Sequence, residues 1–116
     1  MRRTVVIVDD HAAFRSAARA LLEAAGFTVV GEAADGAAAL EAAEELRPDI
    51  LLLDVQLPDF DGFTVAERLR AEGPAIVLTS SRQASAFRRR LAANPALRFI
   101  PKSDLSGETL QAALAR

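Results

Sequence analysis

Five short aliphatic runs recur along the chain: Val5–Val8, Phe27–Val30, Ile50–Leu53, Ala75–Leu78 and Leu97–Ile100. Strands with one wet face alternate apolar and polar residues. Unbroken aliphatic runs instead mark strands covered on both faces, as in a parallel sheet between layers of helices. The intervening segments repeat at helical spacing. Phe14, Ala18, Leu21, Leu22 and Ala25 predict a first helix with an inward face, closed by Gly26. Asp35 is a good N-cap for a second helix, whose inward positions are Leu40, Ala43 and Leu46 and which must stop before Pro48. A third helix is expected over 63–72, with Phe63, Ala66 and Leu69 inward and Gly73-Pro74 as its stop. A fourth covers 84–93, with Phe87 and Leu91 inward. A fifth runs from Gly107 to the end, with Leu110, Ala113 and Leu114 inward.

This is β-α repeated five times with no linker, so residues 1–116 form one domain. Right-handed crossovers place helices on both sides of the sheet. The expected fold is α/β, a flavodoxin-like (βα)5 doubly wound parallel sheet in the order 2-1-3-4-5. Such a fold places its ligand site beyond the carboxyl ends of the strands.

Composition narrows the chemistry. The chain lacks cysteine, so thiolate metal sites, catalytic thiols and disulfides are excluded; a single His, His11, excludes His clusters. There is no Trp or Tyr, and the net charge is −2, which argues against nucleic acid binding by this chain itself. No apolar run approaches the length of about 20 residues needed to span a membrane. The basic start Met1-Arg2-Arg3 leads into too short an apolar run for a secretory signal, so a cytoplasmic location is expected.

The strand ends carry the chemistry. The first run ends in Asp9-Asp10, the third in Asp54, the fourth in Thr79 and the fifth in Lys102. In the order 2-1-3-4-5 these four strands are consecutive neighbours, about 4.8 Å apart. Three carboxylates, a hydroxyl and an ammonium therefore converge on one rim. Clustered carboxylates repel unless their pKa values rise or a cation binds, and an oxygen-only set selects a hard ion such as Mg²⁺. Lys102, the only lysine beside 13 arginines, fits a point charge placed for a phosphate. Taken singly, each residue also reads as a solvated loop charge; the four together read as a site.

Val6-Ile7-Val8-Asp9-Asp10-His11, Leu52-Leu53-Asp54-Val55-Gln56-Leu57-Pro58 with Asp61-Gly62, Val77-Leu78-Thr79-Ser80 and Phe99-Ile100-Pro101-Lys102 resemble the response-regulator receiver domain of two-component signalling. With Phe14-Arg15 following, the sequence is most similar to receivers that precede a helix-turn-helix DNA-binding domain. The resemblance implies that Asp54 is the phosphoacceptor. It implies Mg²⁺ held by Asp9, Asp10, Asp54 and the backbone carbonyl of Gln56, with Asp10 the more direct ligand of the acidic pair. Thr79 and Lys102 would contact the phosphoryl group, and Thr79 with Phe99 would form the switch that alters the face of strands 4 and 5 and helices 4 and 5. The implied partners are a sensor histidine kinase and a second copy of the chain. DNA is met only through an output domain beyond these residues, so a longer regulator is expected. No enzymatic turnover is implied beyond the chain's own phosphorylation and dephosphorylation. Two positions depart from the family pattern: Ser103 follows the lysine where many members carry Pro, and Asn94–Arg98 lacks the glycine usual before strand 5.

Other functions are weaker fits. A Mg²⁺ phosphatase with an Asp nucleophile resembles Asp-x-Asp, but Gln56 stands where the second, proton-transferring carboxylate belongs. A nucleotide or flavin binder lacks its Gly-rich loop after strand 1. A pseudo-receiver working only as a docking module would have no use for the complete acidic, hydroxyl and lysine set. Arg88-Arg89-Arg90 reads as a solvated or partner-docking face ahead of a nucleic-acid patch. His11 is read as a surface residue or a support for the acidic pair.

Overall fold

A computed structural model describes residues 3–69 and 73–115. Strands β1 (Thr4–Val8), β2 (Thr28–Ala33), β3 (Ile50–Asp54), β4 (Ala75–Ser80) and β5 (Arg98–Pro101) alternate with helices α1 (Ala12–Ala24), α2 (Gly36–Leu46), α3 (Gly62–Leu69), α4 (Arg88–Ala93) and α5 (Gly107–Leu114). The strands form one sheet in the order β2-β1-β3-β4-β5, every pair parallel. The expected doubly wound order is therefore the one the chain adopts.

The aliphatic runs are explained by two separate cores. Val6, Val8, Leu51, Leu53 and Leu78 point to one face, with Ala39 and Ala43 of α2 and Phe63, Ala66 and Leu69 of α3. Val5, Ile7, Ile50, Leu52 and Val77 point to the other, with Ala18 and Leu22 of α1 and Leu110 and Ala113 of α5. Alternate residues of one strand go to opposite cores, so both parities must be apolar.

Five elements differ in detail from the sequence reading. Strand β2 starts one residue later and runs on through Gly31-Glu32 to the buried Ala33. Its register against β1 shifts because Val29 pairs with Val5 but Gly31 with Val6, leaving Val30 as an extra, exposed residue in an edge strand. In α1 the buried residues are Ala18 and Leu22, with Phe14 half-buried against the same core; Leu21 is exposed, and Ala25 follows the helix as its exposed C-cap. In α2 the small pair Ala39 and Ala43 takes the contact, and Leu46 is turned out with 44% of its surface exposed. The fourth helical segment is divided into a 3₁₀ turn over Ala84–Phe87 and the short α4, neither with a buried residue. Phe87 and Leu91 do lie against the core, half-buried, as does Leu114 of α5. Strand β5 begins at Arg98 and includes Pro101, whose missing N–H an edge strand tolerates. The last three residues expected in the third helix lie outside the described residues.

The N-cap expected at Asp35 is made, its side chain accepting from the Ala38 N–H. Gly26 follows α1 at φ +97°, a conformation that favours glycine.

Candidate functional site

The carboxyl ends of β1, β3, β4 and β5 and the loops after them form one shallow pocket, lined by Asp10, His11, Asp54, Gln56, Ser81 and Lys102. Asp54 ends β3 and is the direct register partner of Thr79 in β4. One ligand atom each from Asp9, Asp10, His11 and Asp54 lie within 4.8 Å of one another. Lys102 reaches over from the end of β5, its Nζ 2.6 Å from Asp9 Oδ2 and 3.3 Å from Asp54 Oδ2. The residues picked out at the strand ends therefore lie together.

Their burial divides the labour. Asp9 and Asp54 are buried, whereas Asp10 is 38% exposed and His11 71%. Burial alone would raise the Asp9 carboxyl. Lys102, by hydrogen bond and charge, and the His11 N–H outweigh it, so Asp9 stays below its ordinary 3.8. Asp54 goes the other way: burial first, then the neighbouring Asp9 charge, lift it above 3.8, and the Gln56 N–H and Lys102 offset this only partly. Burial would lower Lys102, but Asp9 and Asp54 hold its ammonium above the usual 10.5. The cluster thus carries one firmly ionised carboxylate and one whose negative charge is costly.

The backbone around Asp54 is held tightly. The Gln56 N–H donates to Asp54 Oδ1 at 3.2 Å, and the Val55 N–H to the Thr79 carbonyl at 2.9 Å. Gly62 packs against the Asp54 backbone so closely that a Cβ there would come within 2.5 Å of its carbonyl oxygen. Asp59 in the same loop accepts from the Gly36 and Ala37 N–H groups at 2.8 and 2.9 Å, tying the loop to the start of α2.

Thr79 is fully buried, and among the described residues its hydroxyl finds no hydrogen-bond partner. Such an atom normally costs about 1–3 kcal/mol. Phe99 sits one strand over, paired with Leu78 and half-buried, outside the acidic cluster. Its ring lies 5.7 Å from that of Phe87, which lies 6.0 Å from Phe63. Arg90 stacks over Phe63 at 4.1 Å and pairs with Asp61 at 3.0 Å, so this aromatic row connects the loop after Asp54 to α4.

Some contributors escaped the sequence reading. Arg15 donates to the Asp9 carbonyl at 2.6 Å while pairing with Glu32, which anchors the acidic pair to β2. Asp59 and the Asp61–Arg90 pair had no signal beyond a polar loop. Arg15 lies six positions after Asp9, and no periodicity in the sequence links the two.

As a donor set, Asp10 and Asp54 at the pocket with Gln56, and the buried Asp9 behind them, suit a hard divalent cation. Asp54 is raised first by burial and then by the Asp9 charge, and such a cation would relieve both by neutralising the carboxylate.

Comparison with known proteins is consistent over nearly the whole chain. The family model described as the response regulator receiver domain matches residues 5–115. A Pseudomonas aeruginosa protein named as a transcriptional regulator is 43% identical over 96% of this chain, which spans 55% of that protein. A protein-glutamate methylesterase/protein-glutamine glutaminase of Alkalilimnicola ehrlichii is 38% identical over 96% of the chain, which spans 30% of it. The chain thus covers about half or less of the length of these relatives. The crystal structure of a LuxR-family two-component response regulator from Aurantimonas sp. SI85-9A1 superposes with a TM-score of 0.86 at 31% identity, over 99% of this chain and 84% of that one.

Proposed function

The chain belongs to the response regulator receiver domain family of two-component systems, and from that membership we propose that it is a phosphorylation-dependent switch whose phosphoacceptor is Asp54. The observation that carries this reading is the Lys102 ammonium 3.3 Å from a buried Asp54 carboxylate whose charge is unfavourable until it is neutralised. A carboxylate is a weak nucleophile, so phosphoryl transfer depends on positioning and charge neutralisation.

Asp54 is presented rigidly, between the Gln56 N–H and the Gly62 backbone. Its oxygen would attack the phosphorus of a phosphohistidine on a sensor histidine kinase. The P–N bond breaks, the imidazole leaves, and an aspartyl phosphate forms. Lys102 bridges Asp9 and Asp54 at rest and is placed to follow a phosphoryl oxygen. Asp9, Asp10, Asp54 and the Gln56 carbonyl would hold Mg²⁺, which supplies charge neutralisation of the phosphoryl oxygens when bound. The unpartnered Thr79 hydroxyl, in register with Asp54, supports its recruitment by the new phosphoryl group. Movement there would let Phe99 turn inward and shift its contact with Phe87.

The output is proposed to be transcription control through a DNA-binding domain outside residues 1–116, in the cytoplasm, with self-association of the receiver as one readout. Among the described residues no helix is long and apolar enough to cross a membrane. The methylesterase relative shows that a receiver of this type accompanies other outputs too. The test is labelling with acetyl phosphate and Mg²⁺, read by intact mass. Wild type should gain one phosphoryl group and Asp54→Asn none. Labelling of Asp54→Asn at the wild-type level would overturn the assignment.

A further inference from the structure

His11 lies beside the acidic pair but has no part in the switch described above. Its ring Nδ1 is 3.1 Å from Asp9 Oδ1 and 3.0 Å from Asp10 Oδ1. The ring is largely exposed, and it lines the pocket together with Asp10, Asp54 and Gln56. Asp9 is split between two tasks: Oδ2 faces Lys102, and Oδ1 faces His11. Three consecutive residues therefore direct one donor atom each to a common point.

The spacing of those donors is informative. Two ligands at right angles about an ion bonded at about 2.1 Å stand about 3 Å apart. His11 Nδ1 stands at hydrogen-bond distance from both carboxylates, and the donor atoms lie within 4.8 Å of one another. In the tautomer protonated at Nε2, Nδ1 presents its lone pair to that point.

We propose that His11 is a direct metal ligand of this site and makes it a mixed nitrogen and oxygen centre that favours borderline divalent ions such as Co²⁺, Ni²⁺ or Zn²⁺. The proposal rests on the reading of the cluster as a cation site. Mg²⁺ prefers oxygen and keeps its waters, so it gains little from an imidazole, whereas the later transition ions bind imidazole well. The same residues would then hold Mg²⁺ through oxygens alone and a transition ion through oxygens plus His11.

The test is titration of the 116-residue chain with Co²⁺ and separately with Mg²⁺, by calorimetry and, for Co²⁺, by its visible absorption. Wild type is compared with His11→Gln and His11→Ala. Oxygen-only sites also bind Co²⁺ more tightly than Mg²⁺, so the change on substitution is the readout, not the wild-type ratio. Substitution should leave α1 intact, because His11 is its N-cap but makes no side-chain capping bond. Both variants should lose about tenfold or more in Co²⁺ affinity, shift the Co²⁺ spectrum and keep Mg²⁺ affinity within about twofold. Unchanged Co²⁺ affinity, or an equal loss for both ions, would overturn the ligand role. If that happens while Mg²⁺ still supports acetyl-phosphate labelling of wild type, the phosphoacceptor reading stands and this inference alone fails. If wild type binds neither ion, both fall.

Discussion

Replacing Asp54 by Asn should stabilise the metal-free protein, and the sign follows from the competition at that carboxylate. With an effective dielectric of about 20, the attraction of Lys102 at 3.3 Å amounts to about 5 kcal/mol, and repulsion from the Asp9 carboxylate, which lies within 4.8 Å, to at least about 3.5 kcal/mol. The attraction of Lys102 and the repulsion of Asp9 largely offset one another, and burial decides. Burial is also the largest influence raising Asp54. An acid whose folded pKa lies above its unfolded value binds more protons folded than unfolded. Its charge therefore erodes stability as pH rises from the unfolded value, near 3.8, through the raised folded one. Asn keeps the shape without the charge. In EDTA at pH 7 the variant should gain about 1 kcal/mol, or about 4 °C or more in Tm for a domain of this size. The gain should shrink as the pH is taken down toward 4. Mg²⁺ should reverse the order, since an ion at 100 times its Kd adds about 2.7 kcal/mol to the form that binds it. The assay is thermal and urea unfolding of both proteins across pH 4–8, with EDTA or Mg²⁺. A variant equal to or less stable than wild type in EDTA at pH 7 would refute the reasoning.

Lys102→Arg should fold but respond poorly, because a planar guanidinium cannot occupy the compact position between Asp9 and Asp54; wild-type acetyl-phosphate labelling together with wild-type NMR shifts near Phe99 would sink this. Asp10→Asn should weaken Mg²⁺ binding and abolish labelling, with little change in metal-free Tm since Asp10 is partly exposed; intact labelling would remove it from the metal set. Thr79→Val should accept phosphate and show no phosphate-dependent shift at Phe99, and should be about 1 kcal/mol more stable at rest because the orphan hydroxyl is gone; a stability loss in denaturant titration would show that the hydroxyl is satisfied. Gly62→Ala should cost about 1–3 kcal/mol, since its Cβ meets backbone at 2.5 Å, and should slow labelling by displacing Asp54; an unchanged Tm would contradict that packing.

The strand order and the strand-end residues were legible because they rest on strong signals. Doubly covered strands must be aliphatic in both parities, and Asp54, Thr79 and Lys102 come at the ends of such runs. What was not legible has physical reasons. The β2 bulge depends on where Val30 goes in an edge strand, and either outcome leaves the composition unchanged. The inward face of α2 was misjudged at Leu46 because alanines pack closer to the sheet than leucine does, so Ala39 and Ala43 claim the contact. The loop after Asp54 is organised by Asp59 and Asp61, whose partners lie 22 to 29 positions away in sequence. No local pattern encodes those contacts. The opposite displacements of Asp9 and Asp54 likewise arise from burial and from where Lys102 comes to rest.

The solitary hydroxyl of Thr79 has a consequence for the balance between two populations of the chain. A resting conformer that leaves a buried donor unanswered is held above the floor it would otherwise occupy, by about 1–3 kcal/mol. Any conformer that answers it recovers that difference, and each 1.4 kcal/mol recovered multiplies its share relative to rest by about ten. An incoming phosphoryl group therefore need not supply the whole of the driving force. The chain would start closer to its tipping point, and a modest differential affinity would suffice to carry it over.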